Sequence, residues 1–336
     1  MSLPSVVFLD TSVFAGQQYN FSSTAFTTFL PIAQKFGLKL LLPDPTEREI
    51  KRQISERSKE ALLALEQARR RAPFLAKWTH FPKNRTDYFT DWEVDRVATN
   101  EWKAFLSQLE VVRLGYQTVS LTEIMNWYDS MIAPFSVKKR KEFPDAFAIA
   151  ILEAYASQNE RHIAVVSEDG DFQAACERFP FLMYFKSLPK LTERFLTDPK
   201  EVTGLKNLIL ADLSKFEDAV RETFGKASYM HDGAEVNVEN GTVTGITVVD
   251  MNIVAIGERE CTITFEAKIM AEYLLQRFLT GEDGEVLEEN STVNDIDTVN
   301  GTAKVIFDAQ GKHVTQVPFM EFDDPIIYLT AEPRWG

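Results

Sequence analysis

The sequence predicts an α/β fold: a Rossmann-like parallel sheet flanked by helices, followed by a C-terminal antiparallel β-rich domain. Three observations lead there. Short apolar runs alternate with stretches of helical periodicity, the pattern of parallel strands joined by crossover helices. Several of those runs end in a carboxylate, at the strand end where open α/β sheets bind ligands. Texture and charge then change after residue 200. Positions 201–336 carry 10 Lys and Arg against 25 Asp and Glu, whereas positions 1–200 carry 26 against 25, so all the excess acid behind the formal charge of −14 lies in the second part.

The 336 residues, 45% of them hydrophobic, suffice for roughly two domains. No apolar run approaches the roughly 20 residues that span a bilayer, and no basic region followed by an apolar one opens the chain, so a cytoplasmic protein without a membrane partner is expected. Cys176 and Cys261 form neither a disulfide framework nor a CxxC metal pair. Four scattered histidines argue against a histidine-based zinc centre. The acidic second part is a poor match for a phosphate backbone.

Val6 to Ser12, VVFLDTS, is a buried strand that delivers Asp10 at its C-terminal end. Phe21 to Phe36 has helical spacing, with Ser22 or Ser23 as cap and Gly37 as stop. Leu38 to Leu42 is a second strand. A long polar helix runs from Thr46 to about Arg71, and Thr46 to Glu49 has the T-x-x-E form of a capping box. Ala72 to Thr99 is mixed and aromatic, and Glu101 to Val112 and Leu121 to Met131 read as helices, so a helical insertion is expected over about 55–135. Ala133 to Phe143 is a basic loop, Pro144 starts a helix through Ala156 with Asp145 in its first turn, and His162 to Val166 is a third strand leading into Ser-Glu-Asp-Gly-Asp. Asp171 to Phe179 is helical, and Met183 to Phe185 is a fourth strand.

These limits predict a first domain over 1–198, a connector helix over 199–225 and an acidic β-rich domain over 226–336. In the last, β-rich runs at 234–238, 242–254, 260–270, 302–307 and 314–319 are separated by turns. Asn240-Gly241 is a hairpin signal, and Gly281 to Asn294 reads as an acidic loop.

Asp10, Glu49, Asp145, Asp169 and Asp171 each fall at a strand end or in a first helical turn, and a parallel sheet would gather them on one edge. Bare carboxylates so gathered repel one another and take up protons unless a cation intervenes. Oxygen-only ligation without His or Cys points to magnesium or manganese, and so to metal-assisted phosphodiester hydrolysis. Each acid also has a structural alternative. Asp10 or Ser12 can cap the following helix, Glu49 can complete the capping box, Asp145 can complement a helix dipole and Asp171 can cap. Glu47 and Glu168 read as solvent-facing acids.

VVFLDTSVF, LPDPTEREI, FPDAFAIAI and VVSEDGDF, in that order, resemble the successive acidic motifs of the PIN domain nucleases over about residues 4–190. The chain is similar to longer bacterial PIN-like proteins with a helical insertion and a separate C-terminal domain. The resemblance implies a PIN-like fold with Asp10, Glu49, Asp145 and Asp169 as catalytic acids and metal ligands. Asp171 would be a further ligand or a cap, and Ser12 and Ser167 hydroxyls that orient ligands or water. It implies Mg²⁺ or Mn²⁺ as cofactor and nucleic acid as substrate, RNA ahead of DNA.

Lys138, Lys139, Arg140 and Lys141, just ahead of Asp145, are candidates to hold phosphate, with Arg69 to Arg71 as a second group. Trp78, Trp92, Trp102 and Trp127 are candidates to stack bases or to fill a core. The expected function is a metal-dependent endoribonuclease, with a toxin or phage-defence role following from the resemblance. The β domain would bind a regulatory protein or self-associate. The alternatives are a structure-specific DNA nuclease and a non-catalytic PIN-like scaffold for RNA or protein.

Overall fold

The computed structural model describes residues 3–71, 91–196, 199–231, 236–280 and 286–333. The chain divides into two compact units, Met1–Leu191 and Thr192–Gly336. Among the described residues no helix is long and apolar enough to cross a membrane.

In the first unit β1 (Val6–Leu9) and α1 (Thr11–Gly16) are followed by α2 (Thr24–Phe36), β2 (Lys39–Pro43), α3 (Asp44–Arg71), α4 (Asp91–Leu106) and β3 (Glu110–Leu114). Then come α5 (Leu121–Asp129), α6 (Phe143–Asn159), β4 (Ile163–Val166), α7 (Gly170–Cys176), β5 (Leu182–Phe185) and α8 (Leu188–Arg194), which runs across the boundary between the units. The strands form a five-stranded sheet in the order β3-β2-β1-β4-β5, with every pair parallel. All residues of β1 and β4 are buried, as strands covered on both faces require. Phe8 pairs with Leu41 and Val165, so β1 sits at the centre and its end carries Asp10 into the switch point of the sheet.

One core cluster joins Phe8, Leu41, Ile149, Leu152, Val165 and Phe172. A second group of aromatics ties α1, α2 and α4 together: Trp102 meets Phe14 edge-on with centroids 5.4 Å apart and stacks on Phe105 at 5.8 Å. Trp102 and Trp127 are buried, which settles them as core side chains and not base-stacking platforms. Trp78 and the side chains of Trp92, Arg69 and Arg70 lie outside the described residues.

The insertion over 55–135 is not wholly helical. Residues 110–112, expected in a helix, begin β3, where Val111 and Val112 pair with Leu40 and Leu41 of β2. Helical spacing through residue 112 loses to a free strand edge, because β-branched side chains pack well on a pleated surface and α4 is already finished at Leu106.

In the second unit α9 (Pro199–Ala211) and α10 (Ser214–Phe224) precede β6 (Ser228–His231), β7 (Val236–Ile256), β8 (Glu260–Thr280), β9 (Val286–Phe307), β10 (Val314–Phe322) and β11 (Ile326–Leu329). Strands β7 to β10 form an antiparallel sheet in the order β10-β9-β8-β7, and β6 and β11 pair in parallel beside it in sequence. Over 199–225 there are two helices instead of one, and Phe216, Val220 and Phe224 of α10 share a core with Ile263, Phe265 and Tyr273 of β8. Asn240-Gly241 lies inside β7 and not at a hairpin. A register shift falls between Val238 and Asn240, and a Cβ on Gly241 would lie 2.7 Å from the Tyr273 ring, so glycine answers a close approach there. Of the acidic stretch 281–294 expected as a loop, 286–294 belong to β9, held by pairing with β8; 281–285 lie outside the described residues.

Candidate active site

Asp10 follows β1 with its backbone N–H donating to the Val166 carbonyl, and it caps α1 by accepting from Ser12 N–H at 3.3 Å. The cap and the candidate ligand are the same carboxylate. Its Oδ2 also accepts from Ser12 Oγ at 2.6 Å and from Ser167 Oγ at 2.8 Å, while Oδ1 takes a long 3.4 Å bond from Thr11 Oγ1. Ser12 Oγ in turn accepts from Glu168 N–H at 3.1 Å and Ser167 Oγ from Asp169 N–H at 3.0 Å, so the two hydroxyls tie the end of β1 to the loop after β4. Asp10 is buried, with its orientation fixed from one side.

Asp145 lies in the first turn of α6. Its carboxyl is pushed up to about 8, first by burial and then by the charges of Asp10, Glu142 and Glu49, with a hydrogen bond to Glu142 adding to the shift. The favourable N-terminal dipole is outweighed by burial and by the neighbouring acids. Glu49 belongs to this group. Helix α3 starts at Asp44, so Thr46 is inside it and no capping box forms; the Glu49 carboxylate accepts from Gln53 Nε2 at 3.0 Å and faces Arg52 Nη2 at 3.5 Å.

Asp169 and Asp171 are arranged differently. Asp169 caps α7, accepting from Asp171 N–H at 2.8 Å. Lys139 Nζ bridges both acids, at 3.1 Å from Asp169 Oδ2 and 2.7 Å from Asp171 Oδ2, and its pKa is raised, chiefly by the Asp171 bond and despite some burial. A turn in which Ser136 and Lys139 exchange backbone hydrogen bonds at 3.0 and 3.1 Å holds that lysine. Lys139 is therefore spent on two carboxylates, while Lys138, Arg140 and Lys141 are exposed.

Glu47 is not solvent-facing. It is buried, with Lys51 at 2.8 Å and Arg113 of β3 at 3.1 Å. Burial pushes its carboxyl up, but the bonds and charges of Lys51 and Arg113 win and hold it below the usual range. Two other residues were not legible beforehand. Glu142, three positions before Asp145, is the fourth acid of the group, and an acid preceding Phe-Pro-Asp was a usable hint. Tyr19, buried after α1, has its phenol pushed up to about 12 by burial, with Arg57 opposing and Glu49 and Asp10 adding to the rise. No sequence signal marked it.

Asp10, Glu49 and Asp145, with Glu142, thus form an acid group that meets a cation at Glu49, where Arg52 stands at 3.5 Å, and Asp169 and Asp171 form one that Lys139 bridges. Among the described residues no group of three or more His, Cys, Asp and Glu side chains is placed so that it could hold a metal ion. The donor chemistry is of the kind that suits a hard divalent ion: oxygen atoms only, with one carboxyl raised first by burial and then by the acids around it.

The PIN domain family model matches residues 7–172. The N-terminal unit is a PIN domain. Its five-stranded parallel sheet and its acids at the strand ends agree with that membership, and the match stops short of the second unit. No curated protein and no solved structure matches the chain. PIN domains are typically nucleases, which makes nucleic-acid hydrolysis the general reading of this one.

Proposed function

We propose that the chain is a metal-dependent endoribonuclease, with Asp10, Glu49 and Asp145 holding Mg²⁺ or Mn²⁺ and Asp169 and Asp171 completing the acidic edge. The observation that carries this reading is the raised carboxyl of Asp145, which marks a buried excess of negative charge at the ligand-binding edge of the sheet. When bound, the ion would stabilise phosphoryl oxygens and lower the pKa of a water.

The chain's own residues account for the rest. Ser12 and Ser167 hold Asp10 Oδ2, so that the carboxylate cannot turn. Asp145, its carboxyl raised in the metal-free protein, would have to be ionised to hold the ion, which would couple affinity to pH. Lys139 keeps Asp169 and Asp171 neutralised, and exposed Lys138, Arg140 and Lys141 contact the phosphates of the scissile strand. RNA, and a role as a toxin or phage-defence effector in the cytoplasm, follow from the resemblance to PIN nucleases. The acidity of positions 201–336 favours a protein partner or self-association for the second unit.

The test is incubation of the purified chain and Asp10→Asn with matched RNA and DNA, in Mn²⁺, Mg²⁺ or chelator. The reading expects cleavage of RNA that needs the metal and is lost in the variant. Cleavage of DNA alone would replace the substrate, and retained cleavage by Asp10→Asn would remove the assignment.

A further inference from the structure

Behind Glu49 stands a pair of residues that no motif marks. Gln53 lies one turn further along α3, and its Nε2 donates to Glu49 Oε1 at 3.0 Å. Tyr19 Oη donates to Gln53 Oε1 at 2.5 Å. The polarity of this chain is fixed by chemistry: a carboxylate can only accept, so the amide must turn its NH₂ to Glu49 and its oxygen to Tyr19, which then must be the donor. Arg57, a further turn along α3, lies over the Tyr19 ring with its guanidinium carbon 5.2 Å from the centroid. Glu49, Gln53 and Arg57 therefore form an i, i+4, i+8 row that grips one tyrosine.

The backbone under Tyr19 is independently unusual. Gln18 and Tyr19 both have positive φ, 50° and 58°, with no glycine in either position. A bulky residue in the left-handed region is uncommon and persists only where its surroundings over-determine it. Here the N–H groups of Gln18 and Tyr19 bond to Ala15 and Phe14 carbonyls at 2.9 Å each, and the ring is buried. Strain of this kind gathers at sites that need a group held in one place.

We propose, resting on the metal-dependent reading above, that Tyr19 and Gln53 are positioning residues that hold the second-motif acid, Glu49, in the rotamer its ligand role requires. The Gln53 bond and the Arg52 contact both fall on Oε1 of Glu49, and neither engages Oε2. Outer partners of metal ligands act in this way, and their loss costs ion affinity by about 10–100-fold.

The experiment is a Mn²⁺ binding titration without substrate on the full chain, with Gln53→Met, Tyr19→Phe, Glu49→Gln and the double variant Gln53→Met/Glu49→Gln. Thermal melts of each run alongside. Gln53→Met should bind Mn²⁺ about 10-fold more weakly or worse, and Tyr19→Phe more weakly in the same sense. In the Glu49→Gln background Gln53→Met should add no further loss, because the group it positions is gone. Affinities within twofold of wild type in both single variants would overturn the proposal, as would an equal loss with Glu49 already removed. Wild type that binds no Mn²⁺ overturns the metal-dependent reading itself, and this proposal with it.

Discussion

The two acid groups of the PIN domain are built from the same side chains and solve the same problem in opposite ways. Asp169 and Asp171 sit half-buried at the start of α7 with Lys139 bridging them, so their charge is balanced from within the chain. Among the described residues no lysine bridges Asp10, Glu49, Asp145 and Glu142 in this way; Arg52 meets Glu49 at 3.5 Å, and burial, then the other acids, raise the Asp145 carboxyl. The difference teaches that acids gathered at one edge are treated differently by the chain: the pair met by Lys139 is charge-balanced from within, whereas Asp145 in the first turn of α6 has its carboxyl raised by burial and by the acids around it. Glu47, buried elsewhere on α3, is balanced like Asp169 and Asp171: Lys51 and Arg113 hold its carboxyl below the usual range.

The sharpest way to break the comparison is to remove one acid from the unbalanced group. Asp10→Asn or Asp145→Asn should lower metal-dependent RNA cleavage on the order of 10³-fold or more with the fold kept, since residues that act as a unit fail together. Cleavage assays beside circular dichroism check this. Less is expected from the balanced acid of α3. Glu47→Gln leaves Arg113 and Lys51 without their partner and should cost about 1–3 kcal/mol in denaturant unfolding, while metal affinity is unchanged. Glu49→Gln should show the reverse.

A smaller effect separates the groups through pH. Asp145 titrates near 8 when folded and lower when unfolded, so the unfolded chain binds fewer protons in between and metal-free stability must fall as pH rises from about 4 to about 8. Asp145→Asn removes that fall, and its melting temperature at pH 8 should exceed that of the metal-free wild type by at least about 2 °C, with the gap closing near pH 5. The smallest effect belongs to Lys139→Ala. Its pairs are part-exposed, so the loss should not exceed about 1 kcal/mol and should shrink further in salt.

Much of this was legible in the sequence. Apolar runs ending in Asp10 and Ser167 mark β1 and β4 because a strand covered on both faces has no room for polar alternation. Gly37 marks the end of α2 because only a left-handed residue closes that turn, and it is found at φ 60°. What stayed hidden depends on tertiary partners. Glu110 to Leu114 becomes a strand only because β2 offers an edge, and Asn240-Gly241 stays inside β7 only because Tyr273 and Phe224 crowd it. Glu47 and Glu49 are two residues apart on one helix, and local pattern cannot tell which meets Arg113 and which meets the acid group. Tyr19 and Gln53 are visible only once the chain has folded.

One measurement bears on the central claim most directly: calorimetric titration of Mn²⁺ into the full chain at pH 7, in two buffers of different ionisation heat, with wild type and Asp145→Asn. The account predicts binding to wild type with release of nearly one proton, because Asp145 must give its proton up, and binding at least about 10-fold weaker with no such release in the variant. Equal affinity and equal proton release in the two proteins would contradict it.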